Sequence, residues 1–171
     1  MAYIMVDVEA DGPIPGDYSM LSLGAVLVTP ELDQTFFAQF RPISEKFVPQ
    51  ALAVSRYSRE ETLSFPEPAG EMQRFVDWLK EVCPDRPIFI SDNNGFDWMF
   101  VCWYFHHFLG ENPFGHSSQN LGSLYKGLAK DVFVNFKHLR VTAHTHHPVD
   151  DAKGNAEALL EMKGMGLKIR F

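Results

Sequence analysis

Ala2-Tyr3-Ile4-Met5-Val6-Asp7-Val8-Glu9 is the stretch on which the fold turns. From Ala2 to Val8 it is apolar and rich in Ile, Val and Tyr, the composition of a buried strand, and it closes on Asp-Val-Glu. Side chains alternate across a strand with period two, so Asp7 and Glu9 face the same way and repel unless a cation lies between them. Acids also commonly mark the solvated end of a strand. A lone Asp-x-Glu therefore decides nothing until its company is known.

After the turn residues Gly12, Pro13, Pro15 and Gly16, a second strand is predicted over Met20–Val28 and a third over Thr35–Phe40, joined by a hairpin from Pro30 to Gln34. The short loops make these three strands antiparallel. Residues 41–65 hold Pro42 and Pro49 and read as loop with a short helix near Pro49–Ser55. From Glu67 onward Met72, Phe75, Val76 and Leu79 recur at helical steps on one face, and Pro84 follows the end. Pro87–Ser91 reads as a short strand and Asn93-Asn94-Gly95 as a turn. Asp97–Leu109 is apolar nearly all round, as a buried helix is, with Asp97 in its first turn. Gly110–Gly115 breaks the chain, residues 118–129 form another helix, and Pro148 to about Lys163 the last. Pro148 suits the first helical position, and Asp150 and Asp151 suit the positive end of the dipole. This order predicts an α/β domain, a mixed sheet flanked by helices.

The 171 residues, 46% apolar, suffice for one well-packed domain over 1–171. Cys83 and Cys102 show neither metal spacing nor the density of a secreted scaffold, which points to a reducing, cytosolic compartment. A charge at Asp7 interrupts any signal-peptide core, and the uncharged residues 98–110 fall short of the ~20 needed to cross a bilayer. A soluble, cytoplasmic protein is the expectation. A formal charge of −7 argues against a broad duplex-binding surface, since phosphate binding is driven by Lys and Arg.

Asp97 opens a buried helix, where an unpaired carboxylate is costly unless a partner or the helix dipole compensates it. His146 and Asp151 are separated by His147, Pro148, Val149 and Asp150, with the proline opening a helix between them. The histidine thus sits on the approach loop and the acid in the helix, and both can face one cleft. In this order, Val6-Asp7-Val8-Glu9, Asn94-Gly95-Phe96-Asp97 and His146-His147-Pro148-Val149-Asp150-Asp151-Ala152 resemble the three motifs of the DEDDh 3′–5′ exonucleases, the family of ribonuclease T and the proofreading subunit of bacterial DNA polymerase III. The third motif is the most specific, and the resemblance spans essentially the whole chain.

The resemblance implies a ribonuclease H-like fold in which Asp7, Glu9, Asp97 and Asp151 hold two Mg²⁺ or Mn²⁺ ions and His146 is the general base. Hard divalent cations prefer carboxylate oxygens, and an imidazole titrates near neutral pH. Two divalent ions on those acids would bring the charge from −7 to −3, compatible with gripping a short strand end. The implied activity is hydrolysis of single-stranded RNA or DNA from the 3′ end to nucleoside 5′-monophosphates, with RNA slightly favoured and a homodimer expected. The backbone at Ala10 to Gly12 is expected to meet the 3′-hydroxyl and Phe96 to stack on the terminal base; Lys137, His138 and Arg140 form a basic cluster that either holds phosphate or is solvated loop. Ala10 replaces the Thr or Ser usual after Glu, and Asp92-Asn93-Asn94 replaces the usual His-Asn, which bears on substrate rather than chemistry. His147, one residue closer to Asp151 and directly before Pro148, is expected to be the helix cap or a surface residue. Two competing readings are a catalytically inactive nucleic-acid-binding module of the same fold and a zinc hydrolase built on His144, His146 and His147.

Overall fold

The structure, a computed structural model, describes residues 1–169. The predicted first strand is β1 (Ala2–Ala10), followed by β2 (Met20–Leu27) and β3 (Thr35–Gln39), antiparallel in turn. β4 (Pro87–Ser91) joins β1 in parallel register, and β5 (Ser118–Asn120) joins β4, giving a mixed sheet in the order β3-β2-β1-β4-β5. The helices are α1 (Pro49–Val54), α2 (Arg59–Leu63), α3 (Pro68–Val82), α4 (Asn94–Leu109), α5 (Leu121–Ala129) and α6 (Pro148–Gly164), with a 3-10 turn at Lys137–Leu139.

The alternation of β1 divides the core. Ile4, Val6, Val8 and Ala10 join α3 and α4 on one face of the sheet, where Phe75 is wholly buried and its ring stacks on Phe36 (4.9 Å) and Phe105 (5.7 Å). Truncating a buried phenylalanine of this kind costs about 3–5 kcal/mol. Met5 lies in a second cluster under α5 and α6, with Ile90, Leu121 and Leu159. Asp7 and Glu9 follow Met5 at period two, so both point to the α6 face.

Three expectations need correction. Residues 118–120 are strand rather than helix: they pair with the free edge of β4, and Asn120 then caps α5 by accepting from the Ser123 N–H at 2.6 Å. The segment before α3 contains a second short helix, α2, closed by a capping box in which Ser58 and Glu61 exchange hydrogen bonds. Helix α4 begins at Asn94, so the expected turn shrinks to Asn93, and it is buried on one side only. Trp98, Met99, Cys102 and Trp103 are half-exposed, and His106 and His107 are exposed, along an open hollow with Pro15. A helix whose outer face carries Trp98, Met99 and Trp103, with only histidines for polar groups, reads as buried whether or not a neighbour covers it. No helix among the described residues is long and apolar enough to cross a membrane.

Candidate active site

Parallel pairing brings the carboxyl ends of β1 and β4 to the same edge of the sheet, where α/β sheets generally hold ligands. β1 ends there with Asp7 and Glu9. β4 ends there with Ser91, and α4 starts three residues later, carrying Asp97 in its first turn. Helix α6 arrives from the other end of the chain and is seated by a glycine. Gly24 pairs with Asp7 in register, and a Cβ on it would lie 2.2 Å from the carbonyl carbon of Pro148. Only a residue without a side chain lets the first turn of α6 settle here, and that turn carries Asp151, 1% exposed.

Asp7, Glu9 and Asp151 offer oxygens all within 4.8 Å of one another, and His144, His146 and Asp151 form a second such group sharing Asp151. Asp97 lies outside both groups but within the same field. It is 2% exposed, its Oδ2 has no hydrogen-bond partner among the described residues, and its carboxyl is pushed up to about 8. Burial is the main cause; the charges of Asp92 and Glu9 add to it, while hydrogen bonding from the Ser91 side chain and the Val8 backbone opposes it. Glu9 is pushed up to about 7, first by burial and then by Asp151, with the Arg56 guanidinium acting the other way. Asp7 is raised well above the ordinary range by burial, then by Asp97, Glu9 and Asp151, with Arg140 opposing. Buried acids that raise one another in this way call for cations. An unpartnered buried carboxylate oxygen among them fits an oxygen-preferring divalent ion.

Asp151 is held by three donors, with a histidine nitrogen beside them. Arg140 Nη2 (3.0 Å) and the Thr145 N–H (3.1 Å) reach Oδ1, the His146 N–H (3.0 Å) reaches Oδ2, and His144 Nδ1 stands 2.8 Å from Oδ1. His146 adopts a left-handed backbone, φ 59°, which costs a residue with a Cβ about 1–2 kcal/mol. That bend turns its N–H onto Asp151 and leaves its half-exposed ring at the cleft, Nδ1 3.9 Å from Glu9 Oε1. His147 stands at the cap position of α6, makes no side-chain capping bond, and stacks on Phe37 with ring centres 5.0 Å apart. The histidine trio of the zinc reading is therefore split, with His147 stacked elsewhere.

The basic cluster also comes apart. Lys137 is exposed, and His138 meets the Tyr125 hydroxyl at 3.3 Å. Arg140 is not solvated loop: its side chain is 9% exposed and lies across Gly154, where a Cβ would come within 2.5 Å of Nε. Sequence reasoning missed Arg140 as the partner of Asp151 and His144 as a neighbour of the site; the glycine at 154 on a helical face is the one signal that something lies across it. Among the expected substrate contacts, Ala10 is buried at a β-bulge where the register shifts after Glu9, and Gly12 lies under the Tyr18 ring, 2.1 Å from where its Cβ would stand. Phe96 is half-buried against Phe100, ring centres 4.9 Å apart.

A mixed five-stranded sheet with acids from three separate elements meeting at one edge defines a class, the carboxylate-cluster nucleases of ribonuclease H-like fold. No family model matches the chain. It is 40% identical over 130 residues to a protein of Escherichia coli named 3′-5′ DNA exonuclease Cap18, a match covering 74% of this chain and 69% of the relative. The fold is similar to the nuclease domain of 3′hExo, a DEDDh family member solved with rAMP (TM-score 0.76, 15% identity, 99% of this chain and 94% of that one). It is also similar to cell-death related nuclease 4, CRN-4 (TM-score 0.77, 14% identity), where it covers 96% of this chain and spans 64% of the other. The chain belongs to the DEDDh family of 3′–5′ exonucleases and is an enzyme of that class.

Proposed function

We propose that the protein removes nucleoside 5′-monophosphates from the 3′ end of single-stranded DNA, with residues 1–171 acting as one exonuclease domain. The observation that carries this reading is the meeting of Asp7, Glu9 and Asp151 within 4.8 Å, with Asp97 buried beside them and His146 at the rim. In it Asp7, Glu9, Asp97 and Asp151 hold two divalent cations, Mg²⁺ or Mn²⁺, which when bound lower the pKa of water and offset charge on the phosphate. His146, exposed enough to exchange protons with solvent, takes the proton of the attacking water at its imidazole. Asp151 orients that histidine through the His146 N–H, and Arg140 and the Thr145 N–H orient Asp151 in turn. Phe96 borders the terminal base, and the backbone near Ala10 and Gly12 meets the 3′-hydroxyl.

DNA is preferred to RNA here because the 40%-identical relative is named a DNA exonuclease; the expected lean toward RNA has no comparable support. All five groups come from one chain, so the reading needs no second copy, and sedimentation of the purified protein decides the homodimer that the resemblance implies.

The test is a 5′-labelled single strand, DNA beside RNA, incubated with Mn²⁺ at pH 8. A ladder shortening from the 3′ end is expected, faster on DNA and abolished by EDTA. An intact DNA strand would refute the proposal and favour the inactive binding module; faster loss of RNA would overturn the substrate. One equivalent of tightly bound zinc would favour the histidine-centred alternative.

A further inference from the structure

Residues 48–59 are fastened at both ends to Asp11, two residues beyond Glu9. The Val48 N–H donates to the Asp11 carbonyl at 2.7 Å, and Arg59 Nη1 donates to Asp11 Oδ2 at 3.0 Å. Between these anchors run α1 and a turn in which Arg56 has φ 63°. A left-handed backbone is costly for a residue with a Cβ, and arginine has none of the local hydrogen bonding that eases it for asparagine. The position favours glycine, yet it carries a long cation.

Among the described residues three arginines act on the acids at this end of the sheet, and two are committed. Arg59 is spent on Asp11 and the Ser44 carbonyl, and Arg140 on Asp151. Arg56 is exposed, and while its backbone N–H donates to the Ala53 carbonyl at 3.3 Å, its guanidinium makes no hydrogen bond or ion pair among the described residues; its charge is felt at Glu9. A cleft lined by four acids in a chain of charge −7 repels a polyanion beyond the reach of its metal ions. A guanidinium on a segment tied at both ends to Asp11, with no side-chain partner to give up, meets a phosphate at little desolvation cost and can grip it through two N–H groups.

We infer that Arg56 is a substrate-binding residue that grips a backbone phosphate of the strand on the 5′ side of the scissile bond. The assignment rests on the exonuclease reading of the adjacent site. Arg56→Gly is the appropriate variant because it removes the cation and relieves the backbone, so the fold is retained. The full chain is assayed on a labelled oligothymidylate and on the p-nitrophenyl ester of thymidine 5′-monophosphate, which has no upstream phosphate. Binding of the oligothymidylate is measured separately across a salt series in an inactive Asp97→Asn background.

Arg56→Gly is expected to raise KM on the oligonucleotide about five- to tenfold with kcat within about twofold. It should leave the mononucleotide ester unchanged and flatten the slope of log K against log salt by about 0.7, the loss of one phosphate contact on a single strand. Arg56→Lys should restore most of the loss. An unchanged KM and salt slope, or an equal loss on both substrates, overturns the assignment. If the unaltered protein cleaves neither substrate, the proposed function fails by itself, and the salt slope in the inactive background still decides Arg56.

Discussion

Replacing Asp97 by asparagine should stabilise the metal-free protein while abolishing its activity. Asp97 is 2% exposed, has an oxygen without a partner among the described residues, and is carried from an ordinary 3.8 to about 8, chiefly by burial. Between those pH values the folded chain holds a proton that the unfolded chain has released. Stability therefore falls as pH rises through that window, and the penalty is absent below it. At 1.36 kcal/mol per pH unit the cost at pH 8 is roughly 5 kcal/mol. A buried amide recovers about half of that, roughly 2–3 kcal/mol, or a Tm higher by about 5–10 °C. The assay is thermal unfolding of the unaltered chain and Asp97→Asn in EDTA from pH 4 to pH 8, repeated with Mn²⁺. The gain should be largest at pH 8 and vanish near pH 4, and Mn²⁺ should raise the Tm of the unaltered chain much more than that of the variant. A variant less stable than its parent at pH 8, or a gain independent of pH, would refute the argument that Asp97 is a buried acid kept for a cation.

Gly24→Ala should lower Tm by about 5–10 °C, from about 2–3 kcal/mol of overpacking against the Pro148 backbone, and lose activity with the displacement of Asp151; a neutral substitution would mean that α6 is not seated there. His146→Ala should reduce kcat by about 10²–10⁴ while keeping the Mn²⁺-induced rise in Tm, and His144→Ala should cost far less; the reverse ranking, measured by ladder assays, would move the base to His144. Arg140→Met leaves Asp151 without its buried guanidinium and should destabilise the metal-free chain by about 3 kcal/mol in urea unfolding, with Mn²⁺ recovering part of the loss. No change would show that the ion pair is dispensable.

What the chain's local order determines is considerable. Period-two alternation aims Asp7 and Glu9 at one face, helical spacing marks α3, and Pro148 places Asp151 in a first turn with His146 just outside it; each depends on neighbours in sequence, and each is found in the fold. The pairings that make a site of them are not local. β5 exists because β4 offers an unpaired edge, and the apolar outer face of α4 stays half-exposed because, among the described residues, only the turn at Pro15 and Gly16 lies against it. Gly24 and Gly154 look like ordinary glycines until Pro148 and Arg140 are seen lying across them. Tertiary structure alone made Arg140 the partner of Asp151, brought His144 to the site, and left the Arg56 side chain without a partner among the described residues. It also raised Asp97 and Glu9 to about 8 and 7, because desolvation depends on what the rest of the chain excludes from around a carboxylate. Local periodicity is written residue by residue, whereas burial and close approach belong to segments far apart in the chain, and they appear only when it closes on itself.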